Sequence, residues 1–274
     1  MKSIVISLFL AFVPFGVMAD DNTGNIRRPV LVEEFTNTAC SPCAAFAPTL
    51  DSVLRHRMND VVPIKYHSNY PSSRDQFYLA ARADMDKRMD YYNVTGVPRI
   101  IFNGSVGIAD KRYVDTQLDI ALQAEKKMDM EVNATFIDHV LTVSTDVTPL
   151  NDIDNNNLRL FVVAVEEQIT LDEPVSNGEE DFYYTARKML PDADGVSLGT
   201  TLEAGKTYSS TVSATLDNFI DENQLGIVCF VQDIETGEVF ETIYTPRPTG
   251  SDDAAKILSV ENTPDKICVP NFYS

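Results

Sequence analysis

The sequence predicts an α/β sandwich of about one hundred residues followed by an all-β antiparallel sandwich. Three observations carry this prediction. Strand-like and helix-like segments alternate as far as Met128, and from Met130 the apolar period becomes strand-like with no convincing helix between the strands. The motif Cys40-Ser41-Pro42-Cys43 also stands where the first strand hands over to the first helix.

Val30 to Phe35 is an apolar run that reads as a buried strand. Residues 43–58 read as a helix with Phe46, Leu50, Val53 and Leu54 at helical spacing; Pro48 interrupts it, removes one backbone hydrogen bond and should kink it. Val61 to Tyr66 is a second strand and Arg74 to Tyr92 a charged amphipathic helix. Arg99 to Phe102 is a third strand, turning at Asn103-Gly104 into a fourth, and Lys111 to Met128 closes the unit as a helix. Glu131–Phe136 and Val140–Val147 form an expected hairpin around Asp138. Leu158–Val165, Thr207–Leu216, Leu225–Gln232 and Val239–Tyr244 are further strands, the last two joined by a turn at Glu235-Thr236-Gly237-Glu238. Thr170 to Thr200 reads as a long polar insert, and the tail after Pro246 is polar.

The first residues set the compartment. Met1 to Ala19 carries a lysine, then an almost wholly apolar Ile4–Phe15, then Gly16-Val17-Met18-Ala19, the pattern of a secretory signal cleaved after Ala19. That apolar run is too short for a membrane span of roughly 20 residues, and no later stretch is long and apolar enough. No cysteine lies at the cleavage junction, which argues against an N-terminal lipid anchor. The expected layout is a signal peptide at 1–19, an α/β domain at 20–128, a β-sandwich domain at 129–248 and a C-terminal tail at 249–274. About 255 mature residues suffice for two domains with separate cores. Asp and Glu total 41 against 22 Lys and Arg, so no nucleic-acid partner is expected and the charge serves solubility.

The dithiol carries the chemistry. Free N–H groups and the positive end of the helix dipole favour an anion at a helix N-terminus, which lowers the pKa of Cys40 and makes it a thiolate near neutral pH. Cys43, two residues on, can reach back and resolve a mixed disulfide formed on Cys40. A C-x-x-C can also be half of a zinc site, but Cys229 and Cys268 are far apart and His56, His67 and His139 show no ligand spacing with them. No metal and no cofactor are expected. Export permits disulfides that the cytosol would reduce, so an oxidised resting form is plausible.

Four separated features resemble the thioredoxin family: the C-x-x-C after a strand, Pro48 five residues beyond its second cysteine, Glu34 six before its first, and Thr95-Gly96-Val97-Pro98-Arg99-Ile100-Ile101-Phe102 downstream. The resemblance implies a thioredoxin-like first domain in which Pro98 is cis beside the dithiol and the Val97 backbone pairs with a bound peptide. It also implies that Glu34 is a buried acid serving Cys43, with Lys65 as its charge partner. Alternation along a strand sends Glu33 and Glu34 to opposite faces, so one of them faces inward, and Glu34 is the one favoured. The chain departs from the family at Ala39, where a tryptophan is usual, and it holds no tryptophan at all. Ser41-Pro42 replaces the commoner Gly-Pro, which leaves reductase and oxidase directions both open.

The chain as a whole is similar to a family of exported thioredoxin-like proteins of Bacteroidetes named for a 28-kilodalton outer-membrane protein. Phe35-Thr36-Asn37-Thr38-Ala39-Cys40, Phe182-Tyr183-Tyr184-Thr185-Ala186-Arg187-Lys188 and the closing hairpin around Val228–Thr245 carry that likeness. It implies a periplasmic or outer-membrane, cell-surface location. Two functions follow. One is an exported thiol-disulfide oxidoreductase whose partners are protein thiols or disulfides of the envelope, with Cys40, Cys43 and Glu34 catalytic and Val97 and Pro98 binding the client. The other is an envelope binding or adhesion protein in which Cys40–Cys43 is a structural disulfide.

The remaining chemistry-bearing residues have plain readings beside functional ones. Cys229 is either a small buried hydrophobe or half of a bridge with Cys268 that would pin the tail. His67 reads as a surface or capping residue. Asp152-Ile153-Asp154-Asn155-Asn156 and Asp192-Ala193-Asp194-Gly195 begin like calcium loops but do not complete the ligand set, so turns rich in side-chain-to-backbone bonds account for them better.

Overall fold

The structure, a computed structural model, describes residues 28–248. The signal segment 1–19 and the tail 249–274, with Cys268, lie outside the described residues. In chain order the elements are β1 (Val30–Thr36), α1 (Ser41–His56), β2 (Val61–His67), α2 (Gln76–Ala80), α3 (Arg82–Tyr91), β3 (Arg99–Phe102), β4 (Ser105–Val106), α4 (Val114–Ala121), β5 (Met128–Ile137), β6 (Val140–Pro149), β7 (Ile153–Asp154), β8 (Leu158–Thr170), β9 (Asp181–Leu190), β10 (Val196–Ser197), β11 (Thr201–Leu202), β12 (Tyr208–Thr215), β13 (Leu225–Asp233) and β14 (Val239–Pro246).

β1 is buried at every residue because it has neighbours on both edges and both faces. It pairs parallel with β2 and antiparallel with β3. Side chains alternate across a strand, so Val30 and Val32 face one way and Leu31 and Phe35 the other. The first set joins Phe46, Leu50 and Leu54 of α1 and Val114 and Leu118 of α4 in one core. The second set joins Met85 and Met89 of α3, and also Phe161, Val163, Ala186, Val228 and Phe230 from β8, β9 and β13. The same alternation puts Glu34 and Lys65 on the α1 face and Glu33 on the α3 face. Both glutamates are therefore buried, not one of them, since neither face of β1 meets water.

A single sheet runs in the order β14-β13-β8-β9-β2-β1-β3-β4, with β10 attached to β8. Its two parts join where β9 runs parallel to β2 at the pair Lys65–Thr185. The sheet curls around α3, so that Gly104 of the β3–β4 turn meets Gly237 of the β13–β14 turn. A Cβ on Gly104 would lie 1.7 Å from the Gly237 carbonyl oxygen, and its φ of +85° already selects glycine. A second sheet, β12-β6-β5, covers the other face of β8 and β13 through Leu141, Val143, Leu160, Val162, Ile227 and Val231.

Several expectations change. One core lies wholly before Met128 and one wholly from Met128 onward, but a third, which holds Leu31, Phe35 and Met85, is shared with residues beyond Met128. The helix expected over 111–128 is only Val114–Ala121, because Met128 and Met130 are buried in β5, paired with Pro149 and Val147 of β6. The helix expected over 74–92 is two, broken at Ala81, whose backbone (φ −135°, ψ 33°) leaves the helical region. The expected insert at 170–200 contains β9, a strand of the main sheet. Its charged residues hid it: Lys188 donates to Asp84 at 2.7 Å, and Arg187 is buried 3.5 Å from Glu166.

Candidate functional site

The turn from β1 to α1 is held by its own side chains. Asn37 Oδ1 accepts from Ala39 N at 2.9 Å, and Cys40 N donates to Asn37 O at 2.9 Å. Asn37 Nδ2 donates to the Ser68 and Ser72 carbonyls at 2.7 and 2.9 Å, pinning the turn to the loop after β2. Cys40 is then the N-cap of α1 in extended conformation, with Pro42 in the first turn, where its missing N–H costs nothing. Cys40 and Cys43 are disulfide-bonded, and Cys43 N donates to Cys40 Sγ at 3.1 Å. The first turn carries no acidic side chain to compete with a thiolate for the helix N-terminus.

Val97 and Pro98 come to the same place. Their peptide bond is cis, and Cys40 Sγ lies 3.6 Å from Val97 O. Both residues are half-buried.

The buried face of α1 that carries Cys43 also carries Ala47 and Asp51. Asp51 and Glu34 flank Lys65, which hydrogen-bonds Asp51 and lies 3.3 Å from Glu34 Oε2. Burial pushes the Glu34 carboxyl up, with Lys65 opposing, and neither of its oxygens accepts a well-formed hydrogen bond. Burial alone would lower Lys65, but the two carboxylates outweigh it and hold its ammonium form. Glu33, by contrast, is fully satisfied: Arg88 Nε and Nη2 donate to its two oxygens at 2.8 and 2.9 Å, and Tyr92 Oη donates at 2.7 Å. A closed pair of this kind holds structure, whereas Glu34 retains oxygens free to take a proton.

The dithiol is covered. Cys40 is 3% and Cys43 0% exposed, although Ser41 and Pro42 between them are exposed. The loop between β8 and β9 hydrogen-bonds the backbone of the turn that carries Cys40. Ser176 Oγ and Asn177 N donate to Thr38 O at 2.9 and 3.1 Å, and Asn177 Nδ2 lies 3.3 Å from both Asn37 O and Cys40 O.

His67 is 1% exposed rather than a surface residue. Its Nδ1 lies 2.8 Å from Asp75 Oδ2, which also accepts from Thr38 N at 2.7 Å, so the histidine is tied to the dithiol turn through Asp75. Burial would raise the Asp75 carboxyl, but His67 and the backbone donors outweigh it and hold it down. Cys229 is fully buried at the centre of β13, and burial pushes its thiol up. Its expected partner Cys268 lies outside the described residues.

Sequence reasoning missed Asp51, Asp75, Asn177 and Glu179. Asp51 had a signal, an acid among Cys43, Phe46, Leu50 and Leu54 on the apolar side of a helix. Asp75 also had one, as an aspartate just before a helix, where it caps Phe77 N and Tyr78 N at 2.9 and 3.1 Å. Asn177 and Glu179 had none, because only the fold brings the β8–β9 loop to the dithiol.

The site thus joins a C-x-x-C disulfide at the start of α1, a buried Glu34–Lys65–Asp51 cluster and the Val97–Pro98 segment. The chain belongs to the Omp28 outer membrane protein family, which residues 85–242 match. It is exported and associated with the outer membrane. The matched stretch starts in α3, after the dithiol. No helix among the described residues is long and apolar enough to cross a membrane. Among solved structures, the chain is similar to HBP35 of Porphyromonas gingivalis (TM-score 0.69, 12% identity, 89% of this chain and 80% of that one). It is also similar to a protein of Agrobacterium tumefaciens (TM-score 0.51, 16% identity, 81% of this chain and 96% of that one). A domain of the outer membrane lipoprotein Omp28 of Porphyromonas gingivalis matches at TM-score 0.29 with 15% identity, over 46% of this chain and 92% of that one. No curated protein sequence matches the chain. At these identities the likeness concerns the fold alone.

Proposed function

We propose that the protein is an exported thiol-disulfide oxidoreductase of the cell envelope, built on a thioredoxin-like first half followed by a β-sandwich half. The order β2-β1-β3-β4, with β1 and β2 parallel and β3 antiparallel to β1, supports the thioredoxin-like reading. The observation that carries the function is the helix-capping disulfide above a buried carboxyl that lacks hydrogen-bond partners.

In the reducing direction, the Cys40 thiolate attacks one sulfur of a client disulfide. The client S–S bond breaks, its far sulfur leaves as a thiolate, and Cys40 is left in a mixed disulfide. Glu34 takes the proton of Cys43, and the Cys43 thiolate attacks Cys40 Sγ. That forms Cys40–Cys43, releases the second client thiol, and moves two electrons from the dithiol to the client. The oxidising direction is the reverse. Val97, with no backbone hydrogen-bond partner among the described residues, offers its N–H and C=O to an extended client segment.

The second reading, a binding or adhesion protein with a structural disulfide, draws on the near-complete burial of both cysteines. Trapping separates the two. Cys43→Ser should accumulate mixed disulfides with envelope proteins and Cys40→Ser should not; no adducts in either variant would favour the structural disulfide.

A further inference from the structure

We propose that the β8–β9 loop is a specificity strap for the dithiol, with Asn177 as the residue that holds it shut. The proposal rests on the dithiol-exchange reading and identifies what decides which thiols and disulfides reach Cys40.

The strap is a formed element. Leu171 N donates to Glu180 O at 2.9 Å, Val175 N to Glu179 O at 2.9 Å, and Gly178 N to Val175 O at 2.8 Å. Gly178 sits at φ +93°, a conformation that an L side chain rarely adopts. Leu171 and Val175 anchor the strap on Phe77, Ile169 and Phe182. Its polar tip then reaches across to the dithiol turn. On that turn the carbonyl of Thr38 receives Ser176 Oγ and Asn177 N, and Asn177 Nδ2 lies 3.3 Å from the carbonyls of Asn37 and Cys40.

The consequence is steric. Cys40 Sγ has the Val97 carbonyl at 3.6 Å, and the strap tip hydrogen-bonds the peptide group of Cys40 itself. An incoming thiol must approach a sulfur of a residue only 3% exposed, and a folded protein carrying that thiol has to displace Ser176 and Asn177. The strap's own hydrogen bonds show what the displacing segment must offer: N–H or hydroxyl donors for the carbonyl of Thr38, since that of Cys40 keeps Ala44 N at 3.1 Å. An extended client segment rich in such donors, such as exposed backbone of an incompletely folded envelope protein, satisfies that need, whereas a buried disulfide in a folded client does not.

Asn177 also orients Glu179, donating from Nδ2 to Glu179 Oε2 at 2.5 Å. Glu179 is half-buried, and Lys65, His67, Asp51 and Glu34 all lie close enough to bias its carboxyl. Opening the strap therefore also withdraws a negative charge from the acid–lysine cluster.

The test uses the full mature chain and small reagents, so that it does not depend on whether clients are ever exchanged. The rate at which dithiothreitol reduces Cys40–Cys43, and the rate at which iodoacetamide alkylates reduced Cys40, are measured in wild type, Asn177→Ala and Ser176→Ala. Asn177→Ala should raise both rates by about fivefold or more, the factor expected when one net hydrogen bond is lost. Ser176→Ala should raise them less, and Asn177→Gln, which keeps the amide, should restore part of the closure. Circular dichroism and the thermal midpoint report whether each variant is folded; if Asn177→Ala is not, Ser176→Ala decides. Unchanged rates in the folded variants overturn the strap. Raised rates alongside an empty trapping experiment would leave the strap standing and remove the oxidoreductase reading.

Discussion

Adjacent glutamates on β1 meet opposite fates because each faces a different layer. Glu33 is closed by Arg88 and Tyr92, while Glu34 shares one lysine with Asp51 and keeps unfilled oxygens. Replacing Glu34 by Gln removes the proton acceptor without changing side-chain volume. Resolution of a mixed disulfide on Cys40 should then slow by about 100-fold, the low end of what a positioned base contributes. The stability consequence has a definite sign. Burial raises the folded pKa of Glu34 above its ordinary 4.5. The folded protein therefore keeps a proton that the unfolded chain has already lost, and stability falls as pH rises from 4.5 through the folded value. Glu34→Gln should flatten that decline in urea-unfolding curves recorded across this range. An unchanged resolution rate would assign Glu34 a structural role.

At the scale of elements, Arg88 joins Met85 and Met89 in holding α3 to the sheet. The Arg88 guanidinium pairs with Glu33 and lies over Tyr92 at 4.7 Å and over Phe161 and Phe230 at 5.2 Å each. Arg88→Ala leaves the Glu33 carboxylate buried and unpaired, so it should cost about 3–5 kcal/mol in urea unfolding. A Glu33→Gln, Arg88→Met double variant should recover part of that loss; if the two substitutions simply add, the pair is not the anchor.

This tie was not legible in the sequence, because a charged ten-residue helix reads as a solvated surface element. What was legible follows local rules. The strands Val30–Thr36, Val61–His67 and Arg99–Phe102 fall within a residue of their expected bounds, and Cys40 and Cys43 stand at the strand-to-helix handover where the pattern places them, whereas Glu34, Val97 and Pro98 are singled out through the family resemblance. What was hidden depends on contacts across long separations: β9 inside an acidic insert, Asp51 turned inward on α1, and Asn177 brought to Cys40 across 137 positions.

At the scale of the whole molecule, one apolar core crosses the expected boundary at Met128. Leu31, Phe35, Ile64, Tyr66 and Met85 pack on Phe161, Val163, Ala186, Val228 and Phe230. The β3–β4 and β13–β14 turns touch at Gly104 and Gly237, and Gln232 donates to Tyr92 Oη at 3.0 Å. A fragment of residues 28–128 keeps the dithiol and β1 to β4 but uncovers the α3 face of the sheet and strips both phenylalanines from Arg88. Burial of one such large side chain is worth about 1.5–3 kcal/mol, and several are uncovered at once, against a total stability of about 5–15 kcal/mol for a domain. The fragment should therefore show no cooperative urea transition, and its reduced Cys40 should alkylate at the rate of an unfolded peptide. Residues 28–248 should unfold in a single transition. A fragment that unfolds cooperatively, with Cys40 protected, would show that the α1 face alone sustains the fold and that the shared core is dispensable. The family match over residues 85–242 begins within α3, and β1, which leads into the dithiol turn, shares a core with that matched stretch through Leu31 and Phe35. The surroundings of Cys40–Cys43 therefore include residues beyond Met128, the β8–β9 loop among them.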